Sequence, residues 1–168
     1  MNRIELIMLS ISEQYGAALK MLEDTINECP EDLWQHTDGE TIISQIVFHV
    51  LFWIDRYLSK NKDEERIFKP YMENKHQKEG KIVYSKQDLL DYSNFVRKKA
   101  DTWFKVMTLD DLTSDSVYDF HGSTLLSSLM YDLRHIMLHV GALHVRLNRA
   151  GKDPMDWESH NILYKTIS

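Results

Sequence analysis

Residues 125–151, LLSSLMYDLRHIMLHVGALHVRLNRAG, are the stretch that decides the fold of this chain. Apolar side chains recur in it at alternating steps of four and three residues, a spacing that places them along one face of an α-helix. This apolar line consists of Leu129, Leu133, Ile136, Val140, Leu143 and Leu147. Gly151 predicts the end of the helix, because glycine tolerates the left-handed backbone of a C-terminal cap. We therefore predict a long amphipathic helix that buries one face against other helices.

The composition favours a single helical domain. With 168 residues, 43% of them hydrophobic, the chain can bury one core, and we predict one domain over residues 1–168. A net charge of −6 without a basic block argues against nucleic-acid binding. Glu5 interrupts the apolar N-terminal run, so we expect no signal peptide, and the lack of an apolar run of about 18 residues argues against membrane insertion. Because the single cysteine, Cys29, suits a reducing compartment, we expect a cytoplasmic protein.

Three further long helices are predicted before residues 125–151. Apolar repeats place them over residues 3–28, 41–58 and 85–107. The polar connection over residues 59–84 is long enough to travel the ~30 Å length of a helix bundle and to set the next helix parallel to the last. We therefore predict an all-α four-helix bundle in up-down-down-up order, with a long crossover connection between helices 2 and 3.

Cap residues predict where two of these helices begin. Ser85 with Asp88 resembles an N-terminal capping box, and Ser123 or Thr124 should cap the last helix. The second helix is apolar on nearly every side, so it is either central to the fold or partly covered by another subunit. The second alternative favours a homodimer.

Three histidines stand out against the apolar pattern. His49 occupies the predicted inner line of the second helix, Ile42, Ile46, His49, Trp53 and Tyr57. His135 and His139 lie one turn apart on the last helix, so both rings can reach one point. Taken alone, His49 is more often a hydrogen-bonded core histidine than a ligand. Together, three imidazoles can bind one divalent metal ion and leave a coordination position open, as in catalytic sites.

Other polar residues lie outside this set of three histidines. Asp132, one turn before His135, either orients that ring from behind or is a solvated or capping-type carboxylate, and the sequence leaves both alternatives open. His144 is predicted at the surface by its helical phase, while His36 and His121 receive no role. Cys29 has no histidine partner in a motif, which argues against a cysteine nucleophile.

The segment VFHVLFWIDRYL, which contains His49, and the segment LRHIMLHVGAL, followed by NRAG, resemble the DinB/YfiT-like superfamily over nearly the whole chain. The resemblance implies an up-down-down-up bundle that holds a divalent ion, often nickel or zinc. His49 matches the ligand of the second helix, and His135 and His139 match the pair on the last. Gly141 matches the glycine that follows this pair. Ala142 stands where many members have glutamine, so no substrate role is transferred to that position.

The resemblance also implies a reaction class. Characterised relatives are mostly transferases or isomerases that use a low-molecular-weight thiol such as bacillithiol or mycothiol. We therefore expect a metal-dependent S-transferase that joins a small thiol to an electrophilic substrate. A metal-dependent hydrolase is the enzymatic alternative, because the same open site can activate water. The non-enzymatic alternative is a helical module that works by dimerisation or by binding a partner.

Overall fold

The computed structural model describes residues 3–36, 41–64, 84–118, 121–152 and 156–159. In these ranges the chain is all-α, as predicted, and no strand is formed. The six helices of the described residues are α1 (Arg3–Glu28), α2 (Glu31–Trp34), α3 (Ile43–Tyr57), α4 (Lys86–Val106), α5 (Leu109–Thr113) and α6 (Leu125–Arg149). The predicted long connection lies mostly outside the described residues.

The long helices begin and end where the local sequence predicts. Ser85 Oγ accepts a hydrogen bond from the Asp88 backbone N–H at the start of α4. Thr124 does the same for the Ser127 N–H at the start of α6, which settles the choice between Ser123 and Thr124. Gly151 adopts a left-handed φ of 79° just after α6, a conformation that glycine reaches without steric strain.

The four long helices enclose one hydrophobic core. α1 packs against α4 and α6, and α3 packs against the same two helices. The apolar line predicted for α6 faces this core, with Leu133 only partly buried at its edge. Trp34 of α2 closes one end of the core, where its indole N–H donates to the Tyr84 carbonyl oxygen at 2.8 Å. Within the part of the chain that the structure describes, no helix is long and apolar enough to cross a membrane.

The orientation of α3 differs from the sequence prediction. Its core face is formed by Ile43, Val47, Val50, Leu51 and Ile54, all fully buried. The middle of the predicted inner line lies to one side instead, so that Ile46 and Trp53 are half-buried and His49 is exposed. The physical reason is that α3 is apolar on nearly all sides, so its sequence has no polar face from which the buried direction can be read.

The apolar side chains of α3 are buried or half-buried. None of the large hydrophobic residues that are exposed in the described ranges belongs to this helix. The central position of α3 is confirmed by its packing against α4 and α6, and association through its half-buried apolar residues stays a prediction. The homodimer stays a prediction.

A buried ion pair joins α3 to α4. Lys99 Nζ donates to Asp55 Oδ1 at 2.7 Å and lies 3.1 Å from Glu64 Oε1. The Tyr92 hydroxyl donates to the other Asp55 oxygen at 3.1 Å. Because the side chains of Asp55 and Lys99 are only 7% and 15% exposed, the buried Asp55 carboxylate depends on Lys99 for its compensating charge.

Candidate metal centre

Helices α3 and α6 bring the three histidines together. His135 Nε2 lies 3.1 Å from His49 Nε2 and 3.1 Å from His139 Nε2. One ring nitrogen from each residue lies within 4.8 Å of the other two. The four-residue spacing of His135 and His139 places both rings on the side of α6 that faces α3, and His49 approaches them from α3.

Hydrogen bonds among these rings cannot satisfy all three nitrogens. A neutral imidazole nitrogen either donates one proton or accepts with one lone pair. His135 Nε2 has two nitrogen neighbours at 3.1 Å, so it can pair with only one of them. A shared cation accepts all three lone pairs, and tetrahedral Zn–N bonds of about 2.0–2.1 Å would separate neighbouring nitrogens by roughly 3.3 Å. The donor set and its spacing fit a first-row divalent ion.

The histidine cluster is open to solvent on the side of His49. This residue is exposed, whereas His139 is half-buried and the His135 side chain is 14% exposed. Desolvation by the surrounding side chains, followed by repulsion from His135 and His139, lowers the pKa of His49 to about 4. Desolvation and the neighbouring His135 also lower the pKa of His139. At neutral pH these two rings are therefore in the uncharged form that binds metals.

Asp132 lies behind His135 and is fully buried. The alternative of a solvated or capping-type carboxylate is therefore wrong, since Asp132 also lies inside α6 and Thr124 is its N-cap. Its Oδ2 accepts a hydrogen bond from the Tyr15 hydroxyl at 3.0 Å, and its Oδ1 lies 3.9 Å from His135 Nδ1. Burial raises the pKa of Asp132 to about 6, and the neighbouring His135 and Tyr15 limit the rise.

An aromatic wall flanks the histidine cluster and was not predicted from the sequence. We define it as Trp53, Tyr57, Tyr118, His121 and Tyr131. Tyr131 stacks on His135 with 12° between the ring planes, and Trp53 meets His49 edge-on with ring centroids 6.4 Å apart. Tyr57 Oη and His121 Nε2 are 2.7 Å apart and share a hydrogen bond. His121 lies just before α6, and only the packing of that segment against α3 gives it this position.

The remaining sequence predictions have mixed outcomes. His144 is half-buried against α1, with burial lowering its pKa, so the predicted surface position is wrong. The reason is that α6 packs against α1 as well as α3. His36 is exposed at the end of α2. Cys29 is 1% exposed, and burial raises the pKa of its thiol to about 11, which leaves little thiolate at neutral pH.

Comparison of the chain with protein-family models, with curated proteins and with solved structures found no match. Function is therefore inferred from the geometry of the site together with the sequence pattern.

Proposed function

We propose that the protein is an enzyme that holds a divalent metal ion, nickel or zinc, with His49, His135 and His139. The observation that carries the proposal is the convergence of three histidine nitrogens at the solvent-accessible edge between α3 and α6. Three protein nitrogens leave at least one coordination position for a substrate, which distinguishes catalytic sites from closed structural ones.

The proposed reaction is the transfer of a low-molecular-weight thiol, of the bacillithiol type, to an electrophile. A divalent ion in the cluster would lower the pKa of a thiol and keep it as a thiolate at neutral pH. The thiol proton would go to solvent, the thiolate sulfur would form a bond to an electrophilic carbon, and the leaving group would depart with the electrons of the bond that breaks. Trp53 and Tyr131 flank the histidines and provide apolar surfaces for the electrophile. The choice of a thiol rests on the resemblance of the sequence to the DinB/YfiT-like superfamily.

We also propose membership of that superfamily and the up-down-down-up order of α1, α3, α4 and α6. The support is the order of residue contacts along each helix pair. Between α3 and α6, and between α1 and α4, later residues of one helix contact earlier residues of the other, as in antiparallel pairs. These contacts are Thr41–Arg146, Tyr57–Tyr131, Tyr15–Phe104 and Glu23–Arg97. Between α3 and α4, later residues of one helix contact later residues of the other, as in a parallel pair. These contacts are Phe48–Tyr84 and Asp55–Lys99.

Spin labels on three exposed residues test this order. If α3 and α4 are parallel, labels at Lys60 and Lys105 lie close together. Because Ser85 and Lys105 lie at opposite ends of α4 and a helix rises 1.5 Å per residue, the Lys60–Ser85 distance should then exceed the Lys60–Lys105 distance by roughly 20 Å. The reverse ranking of the two distances would contradict the proposed order.

Metal titration tests the proposed site. The metal-free protein should bind one equivalent of Ni²⁺ or Zn²⁺ at micromolar concentration or tighter, as measured by calorimetry and by elemental analysis after gel filtration. His49→Ala should lose this binding, and its exposed position means that the fold tolerates the change. His36→Ala is the matched control, because it removes an exposed histidine outside the cluster. Wild-type protein that binds neither ion would overturn the proposed function and favour a non-enzymatic helical module.

An activity assay tests the reaction class. The metal-loaded protein is mixed with bacillithiol and 1-chloro-2,4-dinitrobenzene, and the thioether and chloride are quantified. We expect product formation that His49→Ala abolishes and His36→Ala retains. Metal binding without transfer to this or other electrophiles, together with ester or amide hydrolysis, would replace the transferase with a hydrolase.

A further inference from the structure

Two buried polar atoms face each other behind the histidine cluster. Asp132 Oδ1 and His135 Nδ1 are both buried, and neither has a hydrogen-bond partner among the described residues. They lie 3.9 Å apart, which is slightly too long for a hydrogen bond. A buried carboxylate oxygen and a buried ring nitrogen are each costly without a partner. A small rotation of the His135 ring would join them.

The orientation of His135 determines which of its nitrogens must carry the proton. Its Nε2 faces His49 and His139, so this is the nitrogen available to an ion. A neutral imidazole that binds metal through Nε2 carries its proton on Nδ1 and has to donate it. Asp132 Oδ1 is the acceptor that lies on that side.

Tyr15 holds the carboxyl in place from another helix. Its hydroxyl lies 3.0 Å from Asp132 Oδ2 and 3.0 Å from the Leu129 carbonyl oxygen. Tyr15 is fully buried in α1, and its ring packs edge-on against Phe104 at 5.3 Å. The carboxyl is therefore fixed by a side chain that the core itself immobilises.

We propose that Tyr15 and Asp132 are positioning residues that hold His135 in the Nδ1–H tautomer and direct its Nε2 towards the metal ion. The role of Nε2 as a metal ligand rests on the proposed function. The new step is that the metal affinity of the site depends on a hydrogen-bonded chain, Tyr15 to Asp132 to His135, that begins in the core of α1. Tyr15 and Asp132 do not contact the ion or the substrate.

The molecule contains a matched control for this chain. Tyr92 and Asp55 form a second buried tyrosine–aspartate pair, between α4 and α3. Asp55 accepts from Lys99 and not from a histidine. Tyr92→Phe therefore removes the same hydroxyl from the same core, leaves the Asp55–Lys99 ion pair in place and does not touch His135.

Metal affinity is the first measurement. The Kd for Zn²⁺ is determined for the folded variants by competition with a chromogenic chelator. We expect Asp132→Asn to weaken binding about 10- to 100-fold, the effect typical of losing a partner that orients a metal-bound histidine. Tyr15→Phe should weaken it by a smaller factor, and the control change Tyr92→Phe should leave it unaltered. Equal Kd values for wild type, Asp132→Asn and Tyr15→Phe would overturn the proposal.

The tautomer of His135 is the second measurement, made without metal. Side-chain ¹⁵N NMR of the metal-free protein should show His135 protonated on Nδ1, and Asp132→Asn or Tyr15→Phe should shift the ring towards the Nε2–H tautomer. A His135 ring protonated mainly on Nε2 in the wild type would contradict the proposal. Wild-type protein that binds no metal would overturn the proposed function, while this measurement would still decide whether Asp132 fixes the ring.

Discussion

The Nε2 atoms of His49 and His135 lie 3.1 Å apart, although the two residues are 86 positions apart in the sequence. The contact exists because α3 and α6 pack directly against each other. His135 and His139, in contrast, meet through the pitch of one helix. The cluster therefore combines a local pair with one residue whose position depends on tertiary packing.

Replacement of His139 separates metal binding from folding. We expect His139→Ala to abolish Zn²⁺ and Ni²⁺ binding and to lower the free energy of unfolding of the metal-free protein by about 1–3 kcal/mol. The fold survives because the buried apolar line of α6 packs independently of the cluster. Elemental analysis and thermal melts provide the two readouts. His144→Ala is the control, a half-buried histidine on the same helix, and it should retain the metal.

The buried ion pair between α3 and α4 predicts a large effect of a single charge deletion. Lys99→Ala leaves the Asp55 carboxylate buried without a compensating charge, so we expect the free energy of unfolding to fall by about 3–5 kcal/mol in urea denaturation. Lys105→Ala removes a lysine that pairs with Asp101 on the surface of the same helix and should change stability by less than about 1 kcal/mol. Similar effects of the two changes would contradict the assignment.

Two glycines of the α6 region should respond to alanine with opposite signs. Gly151 has a φ of 79°, which an alanine side chain disfavours, so Gly151→Ala should destabilise the protein by about 1–2 kcal/mol. Gly141 lies inside α6 with nothing within 4 Å of an added Cβ. Gly141→Ala should therefore stabilise the protein by about 0.5–1 kcal/mol. Urea midpoints measure both changes, and the same sign for both would refute the reasoning.

Cys29 predicts slow thiol chemistry in the folded protein. Burial raises the pKa of its thiol to about 11 from the ordinary value of 9.0, so at pH 8 only about 0.1% is thiolate. Because the pKa is raised, the reactivity of the native thiol should continue to rise with pH up to about 11 and not level off near 9. We expect Ellman's reagent to react at least about 100-fold more slowly with the native protein than with the urea-unfolded chain. Comparable rates would show that the thiol is accessible.

The sequence by itself determined the local features of this protein. The limits of α1, α4 and α6 follow from apolar periodicity and caps such as Thr124 and Gly151, because these signals act within one or two helical turns. The pairing of His135 with His139 is equally local. Of the three histidines, only His49 depends on the packing of a second helix, whereas His135 and His139 share one helix.

Only the tertiary structure decided which side of α3 is buried and what surrounds the histidines. α3 lacks a polar face, so its rotation is set by the helices packed on it. His49 therefore lies at the exposed edge and not on the predicted core line. The position of Asp132 in the site depends on Tyr15 of α1, which contacts it, and that of His121 depends on the contact of its segment with Tyr57. Periodicity reports the direction of burial for one helix, whereas a site built from several helices depends on their relative rotation, which the packing of the whole core determines.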